Sequence, residues 1–297
     1  MKSEHLKYYL IFSTVLFVNI VAAQGEFSQL KVVYEFKHVR DLRQKNSPYI
    51  SDMVLSIGKT SSIYTSQFLY SVNLENKNDS SGNARKGAGV SAGRHVEREM
   101  AIGPAIEVTK YGIAEIQEIY KDFSDQKMEI NANLGIKLLY VESPVPKINW
   151  EFQSDKKKIG EYNCQKATCH FGGRKYEAWF TPELPYRDGP WKLNGLPGLV
   201  LEASDSTNEI AFKFKNLVHN NLKQEFVRPF LHSDYANKIS VKDYNKLTAA
   251  FLSDPETFTL TGLPGGVKIF FVDIEGGTSV ENNTYKIKKF NPLEKTL

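Results

Sequence analysis

Residues 159–181 constrain the fold more than any other part of the chain. Two runs of strand-forming residues, 162–171 and 174–181, are separated only by Gly172 and Gly173. A two-residue connection between strands needs positive φ at both central positions, which glycine adopts without steric cost, so this segment is a tight hairpin. Its register follows by counting outward from the turn. Phe171 faces Arg174, Cys169 faces Tyr176, Ala167 faces Ala178 and Gln165 faces Phe180 on one largely apolar face. On the other, polar face His170 meets Lys175, Thr168 meets Glu177, Lys166 meets Trp179 and Cys164 meets Thr181, so a lysine can lie over an indole ring.

Similar short alternating runs at 32–36, 62–68 and 148–152 read as strands, and 113–123 pairs with 127–130 in another hairpin. Residues 199–204 return through a polar turn to 209–215, where Ile210, Phe212 and Phe214 share one face while Lys213 and Lys215 share the other. A helix is expected over 240–252, capped by Ser240, with Val241, Tyr244, Leu247 and Phe251 on one side and Pro255 as its stop. The predicted fold is mainly β, an antiparallel curved sheet or half-barrel of successive hairpins with one or two helices, packed on one face and wet on the other. That architecture is reminiscent of periplasmic lipoprotein carriers, a likeness that licenses no function.

Length and composition limit the alternatives. The chain has 297 residues, 41% hydrophobic and 24% charged, which excludes wholesale disorder and a multi-span membrane protein. Its formal charge of +4, dispersed along the chain, does not point to nucleic acid. Lys2 and Lys7 precede an apolar run over 8–21 that ends in Ala22 and Ala23, the pattern of a secretory signal peptide. Residues 1–23 are therefore expected to be removed, leaving 24–297 as a single β-rich domain, periplasmic or secreted, with no integral membrane segment in the mature chain. Residues 76–98 are too polar and glycine-rich to offset ordering entropy and are expected to form a mobile loop.

Residues 182–198 contain four prolines and three glycines, so an extended, stiff loop at the rim of the sheet is expected. Within it, Pro197 restricts Leu196 to extended backbone and leaves that side chain free to enter the core, with Gly195 and Gly198 allowing a close reversal before Leu199.

Trp150, residues 162–168, Gly173, Arg174, residues 178–181, Pro185, residues 189–192 and above all Gly195, Leu196, Pro197, Gly198, Leu199 and Val200 together resemble the GLPGLI family of Bacteroidetes proteins. Val200 stands where the family hexapeptide ends in isoleucine. The resemblance is strong across 148–204, weaker toward Tyr34 and absent over 76–98. It implies an exported bacterial protein and brings neither an established activity nor a catalytic residue.

The chemical motifs are weak. Gly89, Ser91 and Gly93 match a nucleophile-elbow spacing but lie in the polar loop rather than between a buried strand and a helix. Gly58, Lys59 and Thr60 suggest the end of a phosphate loop, yet Met53 stands where its first glycine belongs, so a simple turn is expected. Cys164, Cys169 and His170 cluster in sequence, but the hairpin register separates them by face, so no metal and no cofactor is expected. His38, His95, His219 and His232 stand alone and read as surface or capping residues. The same register places the two cysteines apart on opposite faces and requires free thiols.

Two functions follow. The first is a non-enzymatic envelope protein that binds an apolar small molecule or an envelope protein partner through Trp179, Tyr186, Trp191 and Lys166. The second is an extracytoplasmic hydrolase using Asp188, Glu183 or Glu202.

Overall fold

The computed structural model describes residues 26–71, 108–109, 112–113, 116–134, 137–219, 225–229, 236–254, 257–258, 291 and 293–294. The expected signal peptide, the 76–98 loop, the Gly89 to Gly93 motif, His95 and His232 lie outside the described residues. The strands are β1 (Glu26–Phe27), β2 (Leu30–His38), β3 (Tyr49–Ile57), β4 (Ser61–Ser66), β5 (Val108–Thr109), β6 (Gly112–Ile113), β7 (Ile116–Asp122) and β8 (Lys127–Leu134). They continue as β9 (Lys137–Pro144), β10 (Glu151–Ile159), β11 (Tyr162–Phe171), β12 (Arg174–Thr181), β13 (Leu199–Asp205), β14 (Ile210–His219), β15 (Phe226–Val227) and β16 (Asn237–Lys238).

Twelve of them form one large, curved, open sheet in the order β10, β11, β12, β13, β14, β2, β3, β4, β7, β8, β9, β16. The fold is mainly β, as the alternating pattern requires. Two antiparallel meanders, β2 to β9 and β10 to β14, lie side by side because β14 pairs with β2 from Ile210 opposite His38 to His219 opposite Leu30. Extra residues in the ladders between Phe152 and Lys156, Trp179 and Phe180, and Phe214 and Asn216 bend the second meander.

The β11–β12 hairpin has the expected register, from Phe171 opposite Arg174 to Gln165 opposite Phe180, with Gly172 at φ 56° and Gly173 at φ 72°. Both cysteines are buried free thiols. Ile148 and Trp150 are not in a strand, because β10 begins only at Glu151. Trp150 instead donates its indole N–H to the Asn194 carbonyl at 2.8 Å.

The inner face carries a continuous apolar band that includes Tyr34, Leu55, Ile119, Ile130, Val141 and Phe180, all essentially without solvent contact. The outer face departs from the expectation that it meets water. His170 and Lys175 are exposed there, but Val54, Thr65, Glu118 and Asn131 on the central strands are buried. Part of the reason is that residues 67–71 fold over this face, where Tyr70 lies under the Lys31 ammonium, 4.9 Å from its ring centre.

The helix Val241–Ser253 starts at Ser240, whose hydroxyl accepts the Asp243 N–H at 3.1 Å, and packs against β8 and β9. Tyr244 and Phe251 are buried by this contact. Val241, at the helix's first position, is 36% exposed and does not share their burial.

The proline-rich loop is an exposed rim only in part: Pro182, Glu183, Pro185, Arg187 and Pro197 are exposed, but the middle of the loop is not. Asp188, Gly189, Pro190, Trp191, Lys192, Leu193 and Asn194 are all buried, so the segment plugs the inner face. Several of its backbone N–H groups are satisfied within the segment: Leu193 N–H donates to Pro190, Gly195 N–H to Arg187, and Val200 N–H to Asp188. Leu196 has no solvent exposure, which fits its expected role as a core anchor. Leu196→Ala should cost about 2–5 kcal/mol of stability, as for other buried large-to-small changes, in a urea unfolding titration. A variant that unfolds at the parent's urea concentration would show that Leu196 is not packed as described.

Candidate functional site

The sheet, the helix and the plug loop line a partly open cavity of about 120 Å³ on the inner face. Three segments distant in sequence provide its stacked rings. Phe36 on β2 and Phe212 on β14 lie opposite each other across the ladder and stack, with centroids 5.1 Å apart and planes at 18°. Trp191 from the loop extends that stack, 6.5 Å from Phe212 at 15°. Tyr64 stands edge-on to Phe212 and Tyr49 edge-on to Phe36.

Trp191 reaches this position through an unusual backbone. Its φ is +55°, a conformation that bulky residues rarely adopt and that persists only where neighbours impose it. Lys121 on β7 imposes it. This fully buried ammonium donates to the carbonyls of Trp191 at 3.1 Å and Gly189 at 3.3 Å, and pairs with the buried Asp188 carboxylate. The Tyr34 hydroxyl secures the loop's far end through the Val200 carbonyl at 2.7 Å.

The polar lining is short of partners. Arg40 Nε, Tyr64 Oη, Asn245 Nδ2 and Thr248 Oγ1 are buried atoms on cavity-lining residues, and none has a hydrogen-bond partner. Burial raises the Tyr64 pKa well above the ordinary phenol value, so its proton stays on the oxygen. Arg40 lies with its guanidinium carbon 3.7 Å from the centre of the Tyr49 ring. Lys192 and Glu294, also in the lining, pair with each other.

His38 is buried rather than on the surface, because it continues the inward alternation of Tyr34 and Phe36. Its Nε2 lies 2.7 Å from the Asn291 carbonyl, which can only accept, so Nε2 holds the proton and Nδ1 is bare. Burial, with the nearby Arg40 charge second, lowers its pKa from the usual 6.5 to about 3 despite that bond. Between these values the unfolded chain binds a proton that the folded chain refuses. Stability from this residue is therefore complete above about pH 6.5 and declines as pH falls toward 3, by at most about 1.4 kcal/mol per pH unit.

Asp205 and Glu209 are held below the ordinary carboxylate range although burial works against them. Asp205 accepts from the Ile210 N–H, the Thr207 hydroxyl and Arg174, and Glu209 accepts from Lys45, Arg174 and Asn291. Their stabilising contribution is lost at lower pH than that of His38 begins to fall. Urea unfolding between pH 6.5 and 4.5 should therefore show a decline that His38→Gln flattens. An unchanged slope in the variant would assign the decline elsewhere.

The residues singled out from sequence do not form one site. Trp179 and Lys166 lie half-buried on the outer face, where Lys157 and Lys166 flank the indole at 4.5 and 5.8 Å. Tyr186 is half-buried against the core. Trp191 is 3% exposed and lies inside, beside Phe171 and Tyr176, rather than at an exposed rim, because the loop turns inward.

The carboxylates of the hydrolase alternative are separated and engaged. Asp188 is clamped by Lys121, Glu183 accepts the backbone and side-chain N–H groups of Asn163, and Glu202 pairs with Lys157. Among the described residues no three of His, Cys, Asp and Glu group as metal ligands would, and no helix is long and apolar enough to cross a membrane. The cavity residues Phe36, His38, Arg40, Tyr64 and Phe212 were missed. Only the inward aromatic alternation of β2 and β14 hinted at them.

Residues 124–239 match a family described as the N-glycanase peptide, N-terminal domain. The match begins at the β7–β8 turn and includes Trp191 and Phe212, while Phe36, Arg40 and Tyr64 lie before it. No curated protein matches the sequence. Two solved structures of PNGF-II are similar. One, in space group P21, is 12% identical with a TM-score of 0.45, covering 74% of this chain and 32% of that one. The other, in space group C2, is 13% identical with a TM-score of 0.43, covering 73% and 32%. The chain thus corresponds to about a third of the solved chains' length.

Proposed function

We propose that this chain is an exported, non-enzymatic binding protein of the GLPGLI type whose inner cavity holds a small, largely apolar molecule. One observation carries the reading: a ring-sized aromatic cavity whose Trp191 wall is held in a strained backbone by a buried lysine. Such strain persists where the surroundings over-determine it and is concentrated at ligand sites. A preorganised wall also lowers the ordering cost of binding. The carboxylates of the hydrolase alternative are tied into structural contacts, and His38, the one histidine in the cavity lining among the described residues, is kept neutral with its Nε2 proton already donated. These features favour holding a molecule over transforming one.

The signal-like N-terminus supports a periplasmic or secreted location, and residues 148–204 support the family assignment. Protein isolated from its native envelope should carry a small molecule that is released on denaturation and detected by mass spectrometry, on a polypeptide that begins at Gln24. A chain retaining residues 1–23, or one that is empty and turns over its ligand, would contradict this reading.

A further inference from the structure

The cavity's polar atoms specify more than an apolar guest. We propose that it binds a small ring-bearing carboxylate, with the ring against Trp191, Phe212 and Phe36 and the carboxylate facing Arg40, Tyr64, Asn245 and Thr248. This assignment rests on the ligand-cavity reading above and adds the chemical class.

Charge gives the first argument. Of the charged groups lining the cavity, Lys192 and Glu294 neutralise each other, and no carboxylate among the described residues lies within ion-pair distance of Arg40. Among the described residues the site thus holds one uncompensated positive charge, because His38 is neutral. Hydrogen-bonding capacity gives the second. Arg40 Nε and Asn245 Nδ2 can only donate, while the Tyr64 and Thr248 hydroxyls can donate, and all four atoms are buried without a partner. Buried donors left unpaired are costly, so a guest that supplies acceptors is favoured over one that does not. A carboxylate is the compact acceptor-only group that satisfies several donors at once and also meets the guanidinium charge.

Size gives the third argument. A dry apolar cavity of roughly 150 Å³ accommodates benzene. At about 120 Å³ this pocket is of the same order and is partly open to solvent, so it takes a single ring bearing one small substituent.

The test uses the full exported chain, with benzoate and its neutral isostere benzamide as probes, titrated by Trp fluorescence and by ligand-detected NMR. Benzoate should bind at least tenfold more tightly than benzamide. Arg40→Gln should abolish that preference while the variant unfolds at nearly the parent's urea concentration. Asn245→Ala, at a half-buried helix position, should weaken benzoate several-fold. Equal binding of the two probes would overturn the carboxylate assignment and leave the ring cavity intact. Failure of both probes to bind would overturn both readings. Benzoate binding that survives Arg40→Gln and Asn245→Ala unchanged would place the anion elsewhere and overturn the assignment.

Discussion

Gly198→Val should leave little folded protein, with a loss of about 4–5 kcal/mol or more, at the exceptional end of single substitutions. A Cβ at this position would stand 2.1 Å from the Thr181 carbonyl oxygen, 2.6 Å from its carbon and 2.9 Å from the Pro182 Cα. All three are backbone atoms at the exit from β12, so no side-chain rotation relieves the contact. Gly195, three residues earlier, is a glycine for a different reason. Its φ is +94°, but an added Cβ would meet nothing closer than Trp150 Nε1 at 3.9 Å. Gly195→Ala should therefore cost only backbone strain, about 1–3 kcal/mol. Parallel urea titrations of the two variants measure the difference, and equal losses would mean that close approach at Gly198 is not what the motif requires.

The second large effect is expected at Lys121. Its ammonium is fully buried, pairs with Asp188 and donates to two loop carbonyls. Lys121→Met removes the charge but leaves the Asp188 carboxylate in a site with 2% exposure, where one of its oxygens already lacks a partner. Breaking a buried pair in this way costs about 3–5 kcal/mol, mostly because the remaining charge is uncompensated. Adding Asp188→Asn to the variant should recover part of that loss. A double-mutant cycle would show the coupling, whereas additive losses would mean that the two groups stabilise the loop independently.

The contrast between the β11–β12 hairpin and the plug loop shows what the sequence could reveal. The hairpin's register was readable because Gly172 and Gly173 fix the turn and strand side chains alternate with period two, so every pair follows from one count. The loop's irregularity was equally readable from its prolines. Its burial was not, because the groups that satisfy its carbonyls come from Lys121, some 70 residues away in the chain. The same limit hid the cavity. Phe36, Trp191 and Phe212 meet only because β14 closes onto β2, a long-range pairing that no local pattern announces. Arg174 illustrates the point again: placed by register on the apolar face, it is buried there because Asp205, Glu209 and Asn291 surround it.

The central claim is that Phe36, Trp191 and Phe212 wall a cavity able to accept one ring. Crystals of the exported chain equilibrated with iodobenzene test it without reference to charge, since the iodine is located directly by its anomalous scattering. A single strong iodine peak is expected on the inner face, with the ring alongside Trp191 and Phe212. A cavity filled by the protein's own side chains, with no iodine there or iodine only on the outer face near Trp179, would contradict it.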